Sequence, residues 1–436
     1  MGITSKTGGA LGFWMSISLV VGNMIGAGVF LMPAALAQYG GISLAGWVIS
    51  AAGALLIAQM FSRLSRLLTG RGGGPYAFAR AGLGDYPGFL VAWGYWNSIW
   101  IANAAITIAF VGAASDLVPA LQARPLLAMA MGMGTLWLLT GVNLLGLRRS
   151  GWLQLVSTAL KLLPILVVIA GGWFFFRPEH FVPLNASGQS GLEAIAASGA
   201  LTLYAFLGLE SATVPADHIR DPGRNVPRAT LVGTALTTVV YILGTVVVMG
   251  MVPMGELAAS TAPFADAMRI ISGKWGGVLV AGGMAVAAFG ALNGWILIQG
   301  QVARATARDG LFPAVFGKEN RFGVPGYGLV LGSVLSSLLV GMHYTEGLVE
   351  QFRFMILLST FCTLVPYVGS ALAYLVLSRR QRLGTPGVWI LGGSTLAFSA
   401  WAIYGAGGPA VLWGLALLLL GTPVYWAVKR ARRTNS

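Results

Sequence analysis

Val20-Val21-Gly22-Asn23-Met24-Ile25-Gly26-Ala27-Gly28-Val29-Phe30 lies in the middle of an apolar run from about Ala10 to Leu36. A run of that length can cross a bilayer, which takes ~20 residues per helix. Three glycines and an asparagine interrupt it at the centre. Glycine costs about 1 kcal/mol against alanine inside a helix, so Gly26-Ala27-Gly28 is a weak point where the helix can open. An opened helix in lipid must have its bare N–H and C=O groups satisfied by protein, water or a ligand. Two readings follow. One is a broken helix whose backbone holds a substrate. The other is a small-residue seam for close helix packing through Gly22 and Gly26.

The rest of the chain favours the first. Its 436 residues are 56% hydrophobic and 9% charged, with a mean hydropathy of +0.77. Globular domains carry about 25% charged residues, so the composition indicates an all-α polytopic membrane protein. Twelve spans are predicted, at about 10–36, 41–64, 86–115, 125–146, 152–175, 193–216, 229–252, 276–302, 326–343, 349–377, 386–405 and 408–428. The first run is too long for a cleaved signal peptide and reads as a retained span. The net charge of +14 sorts by side. With the N-terminus inside, the inner segments hold 21 Lys and Arg and the outer ones 5. The positive-inside rule then predicts cytoplasmic termini and accounts for the charge without a nucleic-acid partner.

The single cysteine, Cys362, and three scattered histidines give no metal or thiolate site, and no cofactor is expected. Gly70-Arg71-Gly72-Gly73-Gly74-Pro75-Tyr76 follows a span and lacks the Lys-Ser/Thr ending of a phosphate loop. Asp221 to Pro227 reads as a turn-rich inner loop, and Glu256 to Trp275 as an outer segment with a short interfacial helix.

Two ionisable residues lie deep in spans, Lys161 in the fifth and Glu210 in the sixth. Such groups are costly in hydrocarbon and are usually paired or functional. Lys161 is too far from either end of its run to snorkel easily. Glu210 follows a second mid-span interruption, Phe206-Leu207-Gly208-Leu209-Glu210-Ser211-Ala212. Spans one and six would run in opposite directions, each opening a block of five. That pattern predicts an inverted repeat, about 10–180 and 190–378, with two appended helices at about 385–428, in a single transmembrane domain. No convergent nucleophile and base or nucleotide-binding module is apparent, so neither an intramembrane enzyme nor an ATP-driven pump is expected. A channel and an amino-acid-sensing receptor are the other rivals, separable from a carrier by saturable counterflow.

Several stretches resemble the amino acid–polyamine–organocation transporter superfamily, in particular its basic amino acid/polyamine antiporter branch. They are Gly22 to Phe30, Gly73-Gly74-Pro75-Tyr76-Ala77-Phe78-Ala79-Arg80, Phe206 to Ala212, Asn225-Val226-Pro227-Arg228-Ala229, Gly294-Trp295, Asp309-Gly310-Leu311-Phe312-Pro313 and Thr363-Leu364-Val365-Pro366-Tyr367. The likeness is greatest to the bacterial arginine/agmatine antiporters. It implies a LeuT-type 5+5 inverted repeat with helices 1 and 6 broken. It also implies an inner-membrane carrier that exchanges a basic amino acid for its decarboxylated amine by alternating access, and a homodimer formed through the last spans. The substrate carboxylate would meet backbone at Ala27 and Gly28, with Met24 adding backbone contact. The ammonium would meet carbonyls near Tyr204 and Leu207. Trp295 and Asn103 would flank the far end of the substrate, with Ser359 a further polar contact. Tyr95 and Glu210 would gate and couple.

Three positions depart from the resembling antiporters, which have Ser at Ala27, Trp at Tyr204 and a small apolar residue at Lys161. A lysine at this last place resembles proton-coupled transporters and some neutral or broad-range exchangers. In those its ammonium stands where sodium-coupled relatives hold sodium. The alternative is therefore a proton-coupled or exchange transporter of neutral or broad-range amino acids.

Overall fold

The computed structural model describes residues 10–26, 28–260, 262–346, 349–405 and 408–433. Ala27 lies outside these described residues. The chain opens with α1 (Phe13–Met24), α2 (Gly28–Ala37), α3 (Ser43–Leu67), α4 (Pro75–Leu83) and α5 (Asp85–Ser115). It continues through α6 (Ala120–Ala123), α7 (Pro125–Leu144), α8 (Leu147–Gly172) and α9 (Gly191–Tyr204). Next come α10 (Pro222–Met251), α11 (Met254–Ala258), α12 (Pro263–Ser272) and α13 (Lys274–Arg308). The last are α14 (Gly326–Glu346), α15 (Val349–Arg380), α16 (Pro386–Gly405) and α17 (Gly408–Arg433). Among the described residues there is no strand, only an isolated parallel bridge between Leu11 and Ile219.

Among the described residues ten of these helices are long and apolar enough to cross a membrane, and α1 with α2, bent by 42° at the break, count as an eleventh when taken together as one span. The predicted sixth span differs from the others. Its helix, α9, has 14 residues and stops at Tyr204, short of Gly208. There the amides of Ala205, Phe206 and Leu207 turn to carbonyls three residues back, those of Thr202, Leu203 and Tyr204. This tightens the last turn as helix ends commonly do. Gly208 follows at φ +107°, a conformation that excludes most side chains. Short 3₁₀ turns at Ser211–Thr213 and Ala216–His218 complete the segment. The start of α9 is fixed by a capping box between Ser190 and Glu193.

The predicted loop before the seventh span is a correction. Helix α10 begins at Pro222 rather than near 229. Proline suits a first helical position because its missing N–H has no intrahelical partner there. Asp221 turns the chain into it at φ +48°. In the segment read as interfacial, α12 buries Phe264, Ala265, Ala267 and Met268.

Helix α13 is central, packing on α5, α8 and α1, while α10 packs on α3 and α1. Small residues allow the close approaches. A Cβ on Gly294 of α13 would fall 1.9 Å from Asn23 Oδ1. A buried polar lattice joins α7, α8 and α13. Asn143 donates to Asn293 Oδ1 at 3.1 Å, and Asn293 donates to Gln154 Oε1 at 3.0 Å. Ser150 donates to Asn143 Oδ1 at 2.8 Å. Fully partnered groups of this kind fix one arrangement of helices, because each lost partner leaves a costly buried polar atom.

Candidate functional site

The two interruptions meet. Asn23, in the last turn of α1, donates its amide to Ser211 Oγ at 2.8 Å, just past Glu210. Tyr241 of α10 places its hydroxyl 2.6 Å from Met24 O and 3.0 Å from Ala205 O, one carbonyl from each break. A phenol has one hydrogen, so it donates to one of these at a time. Its ring is buried against Trp47 and Phe206, at centroid distances of 5.3 and 5.7 Å.

Over this junction lies a cavity of about 170 Å³. Met24, Gly28, Tyr204, Leu207, Trp295 and Ser359, all predicted from the sequence, lie on its wall. Gly28, the first residue of α2, lies on the cavity wall, and a helix start, with free amides and a positive end, favours a carboxylate. The ring of Tyr204 passes close to Gly28; a Cβ there would lie 3.7 Å from Tyr204 Cε1. The remaining wall is mostly apolar, with Val29, Met32, Ile99, Ile106 and Ile356. No acidic or basic side chain lines the cavity among the described residues.

Tyr95 and Glu210 stand behind that wall. The Tyr95 ring meets Trp295 edge-on at 6.5 Å, and its hydroxyl donates to Glu210 Oε1 at 2.6 Å. Tyr367 donates to Glu210 Oε2 at 2.5 Å. Both carboxylate oxygens therefore hold a phenol, and the side chain is fully buried.

Asn103 is not brought to the cavity. Its amide donates to Gln299 Oε1 at 2.9 Å, and its Oδ1 is buried without a partner. Gln299 in turn donates to the carbonyls of Gly328 and Leu329. Ser359 lines the wall while donating to Ser98 O at 3.0 Å.

Lys161 reaches the break from the other side. Its Nζ lies 2.6 Å from Gly22 O and 2.6 Å from Ile25 O. These are carbonyls that the end of α1 leaves open. The side chain is wholly buried. Gly290 of α13 lies beside it and makes room for Ser157: a Cβ there would fall 2.5 Å from Ser157 Oγ but only touch Nζ at 3.7 Å.

Beyond the two breaks, toward the arginine-rich end, backbone bonds and ion pairs link several elements. Leu11 and the His218–Arg220 backbone exchange hydrogen bonds. Gly73 N donates to Val214 O at 2.7 Å, so the glycine-rich loop pins the segment after Glu210. Gly72 has no side chain where Asp217 approaches; a Cβ would fall 2.4 Å from its Oδ1. Arg304, nearly buried, pairs with Asp217 at 3.0 Å and Glu319 at 2.8 Å, and its Nη1 donates to His218 Nε2 at 2.6 Å. Arg80 pairs with Asp309 at 2.7 Å and Asp85 at 2.9 Å. Tyr76 donates to Asp309 at 2.8 Å. Burial first, then this carboxylate, raise the Tyr76 phenol well above its ordinary range.

Sequence reasoning missed Tyr241, Tyr367 as the second ligand of Glu210, and the Arg304 cluster. Tyr241 carries a faint signal. It stands at helical spacing from Thr230, Thr234 and Thr237, all fully buried on α10.

This geometry is that of a bundle of membrane-length helices with a cavity where two interrupted segments meet, among the described residues. A family profile for amino acid permeases matches residues 11–424. The putrescine transporter PotE of Haemophilus influenzae is 33% identical over 414 residues, covering 93% of this chain and 94% of that protein. The Escherichia coli PotE is 31% identical over 418 residues, covering 94% of each. The cadaverine/lysine antiporter of Escherichia coli is 35% identical over 366 residues, covering 83% of this chain and 82% of the relative. The chain therefore belongs to the amino acid permease family, in the basic amino acid/polyamine antiporter branch of its superfamily. It is a transporter and not an enzyme.

Proposed function

We propose that this chain is a secondary carrier of the bacterial inner membrane. It exchanges a basic amino acid for its decarboxylated amine by alternating access. The observation that carries this reading is the meeting of both broken helices at one cavity, through Asn23–Ser211 and Tyr241. An amino acid would set its carboxylate at the start of α2 and its ammonium among the Met24, Ala205 and Leu207 carbonyls. A cationic far end would lie against Trp295 by cation–π attraction, worth ~0.5–2 kcal/mol. The named relatives carry putrescine and exchange cadaverine with lysine. The arginine/agmatine pair rests on the sequence resemblance. In this reading the arginine-rich end is cytoplasmic, the described conformation faces outward, and the halves act as inverted repeats.

A second reading is a proton-coupled or exchange transporter of neutral or broad-range amino acids. The ammonium of Lys161 on Gly22 O and Ile25 O favours it, as does a cavity wall without an acid.

Counterflow in proteoliposomes tests both. Vesicles are loaded in turn with unlabelled lysine, arginine, cadaverine, agmatine, putrescine, leucine and alanine, then offered the labelled compound. Uptake of a basic amino acid driven by its amine supports the first reading, and uptake confined to neutral amino acids the second. Failure of every compound overturns the substrate class.

A further inference from the structure

We propose that His218 is a gating residue that opens the arginine-rich end of this carrier when protonated. The proposal rests on the alternating-access reading, in which that end must open during transport.

The geometry requires a neutral imidazole in the closed form. Arg304 Nη1 lies 2.6 Å from His218 Nε2, so the guanidinium donates and the ring nitrogen must present its lone pair. A protonated ring carries hydrogen on both nitrogens and has no lone pair to offer. It would set two cations at hydrogen-bond distance in a setting where Arg304 is 4% exposed.

Four charged groups act on the ring among the described residues. On its own turn, Asp217 Oδ2 lies 3.7 Å from the ring. From α13 come Arg304 and Arg308, and from the loop before α14 comes Glu319, which both arginines share. Gln301 accepts from Arg304 at 2.7 Å. From the described residues before α1, the Leu11 backbone reaches His218. Two arginines and two carboxylates balance while the ring is neutral. A proton adds an uncompensated charge and lets the ring compete with Arg304 for Asp217.

That competition matters because of what Arg304 joins. It ties the turn after the second break to α13 and to Glu319. Loss of the His218 and Asp217 contacts to Arg304 removes side-chain ties between that turn and α13, leaving the Gly73 N–Val214 O bond and the Leu11 backbone bonds to hold it. Burial foremost lowers the His218 pKa from its ordinary value; Asp217 and Glu319 oppose it, and Arg304 and Arg308 add to it. The sign follows: the closed form disfavours the proton and a solvated ring in the open form does not. Acid therefore favours opening.

The test reads opening without a substrate, so a failed transport screen leaves it interpretable. The parent is the full chain with Cys362→Ala, which removes its one cysteine, and Val302→Cys. Val302 is fully buried on α13, at helical spacing between Trp295 and Ala305. In lipid nanodiscs, the rate of maleimide labelling is measured at about pH 7.5 and about pH 5.5. Each rate is divided by that of the His218→Gln form at the same pH, which cancels thiol ionisation. The ratio is expected near one at the higher pH and several-fold above one at the lower. His218→Arg, a permanent cation, should label fast at both. A ratio flat with pH overturns the proposal. So does slow labelling of His218→Arg in protein that stays monodisperse. If that variant does not fold, a flat or rising ratio for His218→Gln alone decides.

Discussion

The Nζ of Lys161 and the carbonyl oxygen of Gly22 lie 2.6 Å apart, joining residues 139 positions apart in sequence. With Ile25 O, they make the end of α1 a place where an ammonium replaces the missing helical partners. A broken helix in lipid needs such a partner on each exposed carbonyl. The break and the lysine are therefore one feature.

Replacing Lys161 by alanine should leave two buried carbonyls unsatisfied. A cost of about 2–4 kcal/mol follows from the usual penalty for unmet buried groups. The melting temperature in detergent should fall, and uptake in proteoliposomes should lose its dependence on pH. An unchanged pH profile would remove Lys161 from any coupling role.

Gly294→Ala should abolish transport, because its Cβ would fall 1.9 Å from Asn23 Oδ1 and 2.9 Å from Gln154 Nε2. Gly282→Ala, on the same helix with nothing within 4 Å, should be neutral or stabilising by about 1 kcal/mol. Counterflow and thermal unfolding of the pair separate a clash from a general intolerance of alanine in α13.

Tyr367→Phe removes one of two phenols from a buried carboxylate. Hydrogen bonds to charged groups are worth about 1.5–3 kcal/mol, and a loss of that size is expected by denaturant titration. In a double-mutant cycle with Glu210→Gln the two losses should not add, since both act through one contact. Additive losses would mean that the Tyr367–Glu210 contact contributes little.

At the other end, the Ser190–Glu193 box should be sensitive to acid. The Ser190 hydroxyl and amide hold the Glu193 carboxyl below its ordinary value. A depressed carboxyl stabilises above its unfolded pKa, and the effect is lost as pH falls through the folded one. Hydrogen exchange in the first turn of α9 should quicken across that acid range. In Ser190→Ala it should already be fast at neutral pH. Equal protection of both forms near neutral pH would sink the assignment.

The breaks were legible because glycine and a polar residue inside an apolar run conflict with an unbroken helix. Gly26 and Gly208 carry that conflict in the letters themselves. Lys161 and Glu210 were legible for a related reason, the cost of charge in hydrocarbon. What each would touch was not. The phenols on Glu210 come from α5 and α15, 115 and 157 residues away. Asn103 shows the limit from the other side. An amide in an apolar helix signals a partner, but nothing local says that the partner is Gln299 and not a ligand. The early start of α10 was hidden because Pro222 and Pro227 read as loop, although proline is suited to a helix's first turn.

Tyr241 has one hydrogen to give and two oxygens within reach, one at each break. Whichever it serves, the other keeps a lone pair that this hydroxyl cannot fill. Met24 O also accepts from Gly26 N at 3.0 Å, so Ala205 O is the one left open when Tyr241 turns away from it. A protonated amine in the adjoining cavity would donate there, whereas an ether or thioether of equal bulk has no hydrogen to bring. Preference for amines would then be inherited from main-chain oxygens, and would outlast most changes to the side chains around them.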